Sequence, residues 1–199
     1  HRLLADGHDV VGVDSVNDYY DRELKRANLG RFASPGFQFV EADLNAVDLR
    51  SLLAGTEVVF HLAGQPGVRS SWGSEFDRYI TDNVHATQRL LEAALHADRL
   101  RRFVFASSSS VYGDAERYPT EETDRPQPLS PYGVTKLAAE HLCTLYARNQ
   151  GVPTVSLRFF TVYGPRQRPD MAFTRFCRAV NEGREIEVYG TGEQVRDFT

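Results

Sequence analysis

The chain has 199 residues, 41% of them hydrophobic and 25% charged, with a formal net charge of −4. This is globular composition, enough for one α/β domain and part of another, and the charge gives no footing for nucleic acid. No apolar run is long enough to span a bilayer, and two widely spaced cysteines, Cys143 and Cys177, make neither a disulfide framework nor a zinc motif, so the expectation is a cytoplasmic protein with reduced thiols and no metal.

The chain opens inside a helical pattern (Leu3, Leu4) that runs to Gly7, without a signal-peptide core or cleavage site. It stops at Arg196-Asp197-Phe198-Thr199 with no turn or tail, and both ends read as cuts in a longer protein. Residues 9–14 are a β-branched run ending in Asp14, residues 20–32 suit an amphipathic helix, and residues 37–40 a strand followed by Glu41-Ala42-Asp43-Leu44. Leu49, Leu52 and Leu53 suit a short helix, and residues 57–63 a strand entering Gly64-Gln65-Pro66-Gly67. Residues 79–97 carry Ile80, Val84, Leu91 and Leu95 near one helical face. Residues 103–106 form a strand that runs into four serines. Ser130-Pro131 opens a helix to about residue 149, with proline in its first turn, and residues 154–160 are a further strand. This alternation predicts a parallel sheet covered on both faces, with ligands at the carboxyl ends of its strands. After Gly164-Pro165 the rhythm loosens, and a second lobe begins at about residue 166.

Three features carry chemistry. Asp14 ends what would be the second strand of a dinucleotide fold. A carboxylate there accepts hydrogen bonds from an adenosine ribose and repels a 2′-phosphate, favouring NAD over NADP; the plainer reading is a loop aspartate. The glycine-rich turn that should precede it is absent from the chain. Tyr132 and Lys136, four apart, share a helix face. A free phenol has a pKa near 10, so service as a base near neutrality needs roughly 4 kcal/mol of stabilisation of the phenolate, which an adjacent ammonium supplies. Alone, that spacing describes any solvated helix face. It gains weight from the serine run Ser107 to Ser110 at a strand end shortly upstream, where a serine can bond the same substrate hydroxyl as the tyrosine.

From residue 9 to the end the chain resembles the extended short-chain dehydrogenase/reductases, and within them the nucleotide-sugar epimerases. The matching pieces are Phe60-His61-Leu62-Ala63-Gly64, Asp82-Asn83-Val84, Ser107 through Gly113, Ser130-Pro131-Tyr132-Gly133 with Lys136, Leu157-Arg158-Phe159-Phe160, Tyr163-Gly164-Pro165 and Val195-Arg196-Asp197-Phe198. The resemblance implies a Rossmann-type doubly wound parallel sheet lacking its first strand and glycine turn. Residues 1–165 are then the NAD-binding domain and 166–199 the start of a nucleotide-sugar-binding lobe. It implies Ser108 as the catalytic hydroxyl, Tyr132 as the base and Lys136 as its partner on the nicotinamide ribose. Around NAD it implies Asp43 and Leu44 at the adenine, Leu62, Ala63, Gly64 and Gln65 under phosphate and ribose, and Asn83, Ser107 and Phe159 beside the cofactor. For the nucleotide it implies Phe173, Val188, Tyr189 and Arg196. It also implies a homodimer paired through the helices beginning near residues 79 and 131.

Positions 109 and 110 separate the branches of that family. Related dehydratases place Asp-Glu there, and UDP-glucuronate decarboxylases commonly a glutamate. Here Ser109-Ser110 offers no general acid or base, so a 4-keto sugar has no route onward except return of the hydride to its other face. Asp18-Tyr19-Tyr20-Asp21 with Leu24-Lys25-Arg26, and Phe159 through Pro165 with Arg168-Pro169-Asp170-Met171, are similar to UDP-glucuronate 4-epimerases. The expected reaction is C4 epimerisation of a UDP-sugar, UDP-glucuronate to UDP-galacturonate, with UDP-glucose/UDP-galactose as the alternative and dehydratase, decarboxylase or net oxidoreductase behind it. Ser109, Ser110 and Thr161 are the expected holders of the uronate carboxylate, and Arg168 a further substrate contact. Arg69 is a cationic helper or a surface arginine, and Trp72 a packing residue.

Overall fold

The computed structural model describes residues 1–32, 34–186, 188, 190–193 and 197–199. Helix α1 (Arg2–Ala5) leads into β1 (Val10–Asp14); α2 (Arg22–Leu29) and a 3₁₀ turn lead into β2 (Phe37–Glu41). Then come α3 (Leu49–Leu53), β3 (Val58–His61) and α4 (Phe76–Tyr79), which continues through a π-helical segment (Ile80–His85) into α5 (Ala86–Ala94). The chain finishes with β4 (Arg102–Ser108), α6 (Pro131–Gln150), β5 (Thr154–Phe159) and α7 (Ala172–Asn181).

All strand pairing is parallel, in two sheets ordered β1-β2 and β3-β4-β5. Doubly wound dinucleotide folds order their strands 3-2-1-4-5-6. Taking strand 1 out of that order leaves a pair and a triplet, which is the pairing seen here. The chain forms two compact units, residues 1–41 with 160–199, and residues 42–159.

The core of the second unit gathers Leu49 and Leu53 of α3, Leu90 and Leu91 of α5, Ala139 and Cys143 of α6 around Val59, Phe103 and Phe105 of the sheet. Burying each phenylalanine contributes about 2–3 kcal/mol. Covering is uneven, which departs from the expectation of two covered faces. The residues alternating with this core, Val58, Phe60, Val155 and Leu157, are 36–51% exposed although their composition is that of a covered face.

Helix boundaries follow local chemistry. Asp48 caps α3 by accepting from Arg50 and Ser51 amides. Ser130 caps α6 at the Gly133 amide (3.1 Å), Pro131 occupies its first turn, and Gly151 ends it at φ 76°. The helix expected over 79–97 starts earlier and hides a different face. Leu91 is buried as expected, but Ile80 and Leu95 are 41% and 37% exposed, and Asn83, Ala86, Thr87, Leu90 and Ala94 point inward instead. The π segment changes the phase between Ile80 and the residues that follow it, and Leu95 stands at the C-cap of α5, where the helix ends. Helix α7 lies in the stretch where the sequence rhythm had loosened, so it was not anticipated.

Candidate active site

Strand β4 delivers Ser107 and Ser108 to its carboxyl end, and a 3₁₀ turn, Ser109–Val111, follows. The Ser108 hydroxyl accepts from the Ser110 amide at 3.1 Å, and fully buried Val111 anchors the turn. The first turn of α6 lies against it. A Cβ on Gly133 would stand 2.5 Å from the Ser110 carbonyl oxygen and 2.9 Å from Pro128, so only glycine permits this approach. Tyr132 is thereby brought beside the serine turn. Its ring meets Tyr79 edge-on at 6.2 Å, and the Tyr79 hydroxyl sits 2.9 and 2.8 Å from the Pro66 and Gly67 carbonyl oxygens and 2.7 Å from Ser70 Oγ.

Lys136, one turn along α6, is 5% exposed. Its Nζ donates to the Ala106 carbonyl at 3.0 Å and stands 5.1 Å from the Phe105 ring centroid. Burial pushes its amine down to about 8, low for lysine yet high enough to keep the charge at neutrality.

Asn83, placed by the π segment, is the hub between the 62–65 turn and α6. Its Oδ1 accepts from the Gln65 amide (2.7 Å), and its Nδ2 donates to the Gln65 carbonyl (3.1 Å) and to Thr135 Oγ1 (3.0 Å). Thr135 in turn donates to the Tyr132 carbonyl at 2.8 Å. Gly64 has φ +155°, and a Cβ there would lie 2.6 Å from Asn83 Oδ1 and 3.3 Å from Lys136 Nζ. Gly64, Gln65, Asn83, Tyr132 and Lys136 therefore form one connected group. Beneath it, Thr87 gives its single hydroxyl proton to the Asn83 carbonyl (2.6 Å), so buried His61, 2.8 Å away, donates to Thr87 from Nε2. Burial, then the Lys136 charge, hold His61 neutral with its pKa at about 3.

Further residues of this unit complete the picture. Asp43 accepts from the Asn45 amide (2.8 Å), and Arg89 binds the Leu44 and Val47 carbonyls, which ties this loop to α5. Leu62 is exposed, Ala63 half-buried, and Ser107 gives its hydroxyl to Glu140. Phe159 ends β5 in register with Ser108. Arg69 begins a 3₁₀ turn, and Trp72, expected to pack, is 61% exposed.

In the other unit, Asp14 ends β1, and its Oδ1 accepts from the Val16 amide at 2.6 Å. Val16 is 1% exposed with φ 45°, a strained backbone for a β-branched residue. Arg168 is held in a fork by Asp170 (2.9 and 3.1 Å) over the Tyr19 ring, whose hydroxyl reaches Asp170 at 3.3 Å. The two segments that the sequence grouped as a substrate signature thus touch. Burial and the Asp14 charge push Tyr20 up. Thr161 bridges Phe198, and Phe173 packs on Phe198 and Tyr163 at 4.8 and 5.4 Å. Val188 is exposed. Tyr189 and Arg196 lie outside the described residues.

The 62–65 turn fits a dinucleotide on its own geometry. Gly64 leaves no room for a side chain, the Lys136 charge stands beside it, and the Gln65 side-chain oxygen is buried without a partner among the described residues. Sequence reasoning gave no role to His61, Thr87, Thr135, Glu140 or Arg158, although His61 and Arg158 stand in the motif pieces of the family resemblance and Glu140 stands four residues past Lys136 on the same helix stripe.

A parallel dinucleotide-type sheet with a serine turn, a tyrosine and a buried lysine at the strand ends defines an extended short-chain dehydrogenase/reductase. The model of the NAD dependent epimerase/dehydratase family matches residues 1–199, and the chain belongs to that family. It is 49% identical over 199 residues to an uncharacterized UDP-glucose epimerase of Bacillus subtilis (strain 168), covering 99% of this chain and 62% of that protein. It is 43% identical over 205 residues to a probable UDP-glucuronate 4-epimerase of Rhizobium meliloti (strain 1021), covering all of this chain and 59% of that one. Among solved structures, the UDP-glucuronic acid 4-epimerase of Bacillus cereus in complex with UDP-glucuronic acid and NAD superposes with a TM-score of 0.94 at 46% identity, over 99% of this chain and 62% of that one. The chain thus spans about three fifths of the length of these relatives.

Proposed function

We propose that the intact enzyme is an NAD-dependent UDP-sugar 4-epimerase that interconverts UDP-glucuronate and UDP-galacturonate through a transient 4-keto sugar. The observation that carries this is the buried Lys136 ammonium, held on the Ala106 carbonyl at 3.0 Å on the helix stripe that bears Tyr132. NAD, when bound, would supply a reversible hydride acceptor for C4. Asp14, Asp43, Leu44, the 62–65 turn, Asn83, Ser107, Lys136 and Phe159 are the residues that would hold it. Tyr132 removes the proton of the C4 hydroxyl, Ser108 orients that hydroxyl, and Lys136 stabilises the phenolate. Ser109 and Ser110 carry no titratable acid or base, which favours hydride return over elimination. We assign them, with Thr161 and Arg168, to the sugar, and read residues 166–199 as the beginning of the nucleotide-sugar lobe.

The names of the Rhizobium and Bacillus cereus relatives support glucuronate; that of the Bacillus subtilis relative favours UDP-glucose as the second reading. A homodimer is supported by apolar residues left exposed on the two helices, Ile80, Val134 and Leu145. The free thiols Cys143 and Cys177 suit the cytoplasm, and no described helix is long and apolar enough to cross a membrane.

The test is to incubate the intact enzyme with catalytic NAD and either UDP-glucuronate or UDP-glucose, and to identify products by NMR. The expected product is UDP-galacturonate, without accumulation of reduced cofactor. A UDP-pentose, stoichiometric reduction of NAD, or conversion of UDP-glucose alone would overturn the assignment.

A further inference from the structure

The Tyr132–Lys136 stripe of α6 continues one turn further to Glu140, a carboxylate 7% exposed with no role in proton transfer. Three neighbours converge on it. Ser107, adjacent to Ser108, donates its hydroxyl to Glu140 Oε1. Arg158, adjacent to Phe159, embraces it with Nε at 3.0 and 3.2 Å and a terminal nitrogen at 2.9 Å. The same guanidinium lies 4.7 Å over the ring of Tyr112, at the end of the serine turn, and donates to the Glu122 carbonyl at 3.2 Å. The Glu140 contact drives the Arg158 pKa above its usual value. One buried carboxylate therefore joins α6, the end of β4, the end of β5 and the loop leading to α6. It does so one residue away from Ser108 and from Phe159.

We propose that Glu140 and Arg158 are positioning residues: their ion pair fixes the register between the strand ends bearing Ser108 and Phe159 and the helix stripe bearing Tyr132 and Lys136. The physical reason is leverage. Gly133 against Ser110 and the Asn83–Thr135 bond fix the first turn of α6, and Lys136 bonds the Ala106 carbonyl of β4. A further anchor one turn along the same stripe, itself clamped to β5 by a planar fork, ties the helix to both strand ends beyond that first turn. The inference rests on the assignment of Tyr132, Lys136 and Ser108 made above.

The experiment uses the intact enzyme with NAD and UDP-glucuronate. Breaking one partner alone strands a buried charge and threatens folding, so the informative variant is Glu140→Gln with Arg158→Met. It keeps an acceptor for Ser107 and removes one charge of each sign. The milder Ser107→Ala leaves the pair intact and is the second arm. For the pair variant, kcat is expected to fall ten- to a hundredfold with KM for UDP-glucuronate within about twofold. The acidic limb of its kcat–pH profile should move upward, because a phenolate farther from the ammonium is harder to form; with no change in local net charge, that movement reports geometry. Ser107→Ala should lose kcat severalfold, move the same acidic limb upward and, having lost a buried charge-assisted hydrogen bond, melt a few degrees lower. A folded pair variant with wild-type kcat and an unmoved limb overturns the inference. So does Ser107→Ala within twofold of wild type, should the pair variant fail to fold. A parallel Tyr132→Phe arm separates the two levels: if it retains turnover, the site assignment itself falls, and if it is dead while the pair variant is unimpaired, only the positioning role does.

Discussion

In the proposed mechanism Tyr132 and Lys136 act as a unit, since α6 places them one turn apart and buries only the lysine fully. Tyr132→Phe keeps the ring against Tyr79 and removes the proton acceptor, so kcat should fall by roughly two to four orders of magnitude while UDP-sugar binding, by calorimetry, stays within a fewfold. Near-normal turnover would remove Tyr132 from the mechanism. Lys136 sets the alkaline side. Its ammonium persists below about 8 and is lost as pH rises through that value. Without it the phenolate loses its partner, so kcat/KM, which reports the free enzyme, should decline with a limb centred near pH 8. A flat profile from pH 7.5 to 9 would show that Lys136 does not titrate in that range. The shared face of these two residues was legible in sequence, because helix geometry fixes a four-residue spacing. The partnerships of His61 and Glu140 were not. The tautomer of His61 depends on Thr87, 26 positions away, and the fork on Glu140 comes from Arg158, 18 positions away. No local pattern encodes either.

At the scale of elements, the strand–helix alternation was legible because β-branched runs and capping residues are local signals. The π segment was not, because one extra residue per turn leaves no compositional mark and still rotates the inward face onto Asn83. The contact between α6 and the serine turn is another case. It rests on Gly133, which sequence placed in a family motif without giving it a role and which proves to be a point of very close approach. Gly133→Ala would put a methyl 2.5 Å from the Ser110 carbonyl. The turn or the helix must give, at a cost of about 1–3 kcal/mol, and kcat should drop tenfold or more as Tyr132 moves off the serines. Gly151→Ala is the control. It too is strained, at φ 76°, but a Cβ there meets nothing within 4 Å, so it should cost about 1 kcal/mol or more of stability and leave kcat alone. Equal effects of the two variants on kcat would mean that the close approach has no catalytic consequence.

Over the whole molecule, the site leaves its mark on stability through two buried bases whose folded pKa values lie below their unfolded ones. His61 falls from 6.5 to about 3. Between those values the unfolded chain binds more protons, so stability present above pH 6.5 is lost as pH falls toward 3, by about 5 kcal/mol when complete. The melting temperature should therefore drop steadily below pH 6.5, and His61→Gln should flatten that slope. Lys136 obeys the same sign in a higher window, 10.5 to about 8. Stability is complete above 10.5 and reduced below 8, so at neutral pH the fold carries about 3 kcal/mol of strain for keeping this ammonium buried. Lys136→Met fills the same space without the charge. It leaves the Ala106 carbonyl without its 3.0 Å partner, a loss of about 1–2 kcal/mol, and the balance is a gain of about 1–2 kcal/mol. The intact enzyme freed of NAD should then melt several degrees higher as Lys136→Met than as wild type at pH 7, with the difference shrinking toward pH 10.5, while turnover is abolished. The cofactor has to be absent, since a ligand that binds wild type better would mask the effect by linkage. A variant that melts several degrees lower at pH 7 would show that the buried ammonium stabilises the fold, and that catalysis and stability are not opposed at this lysine.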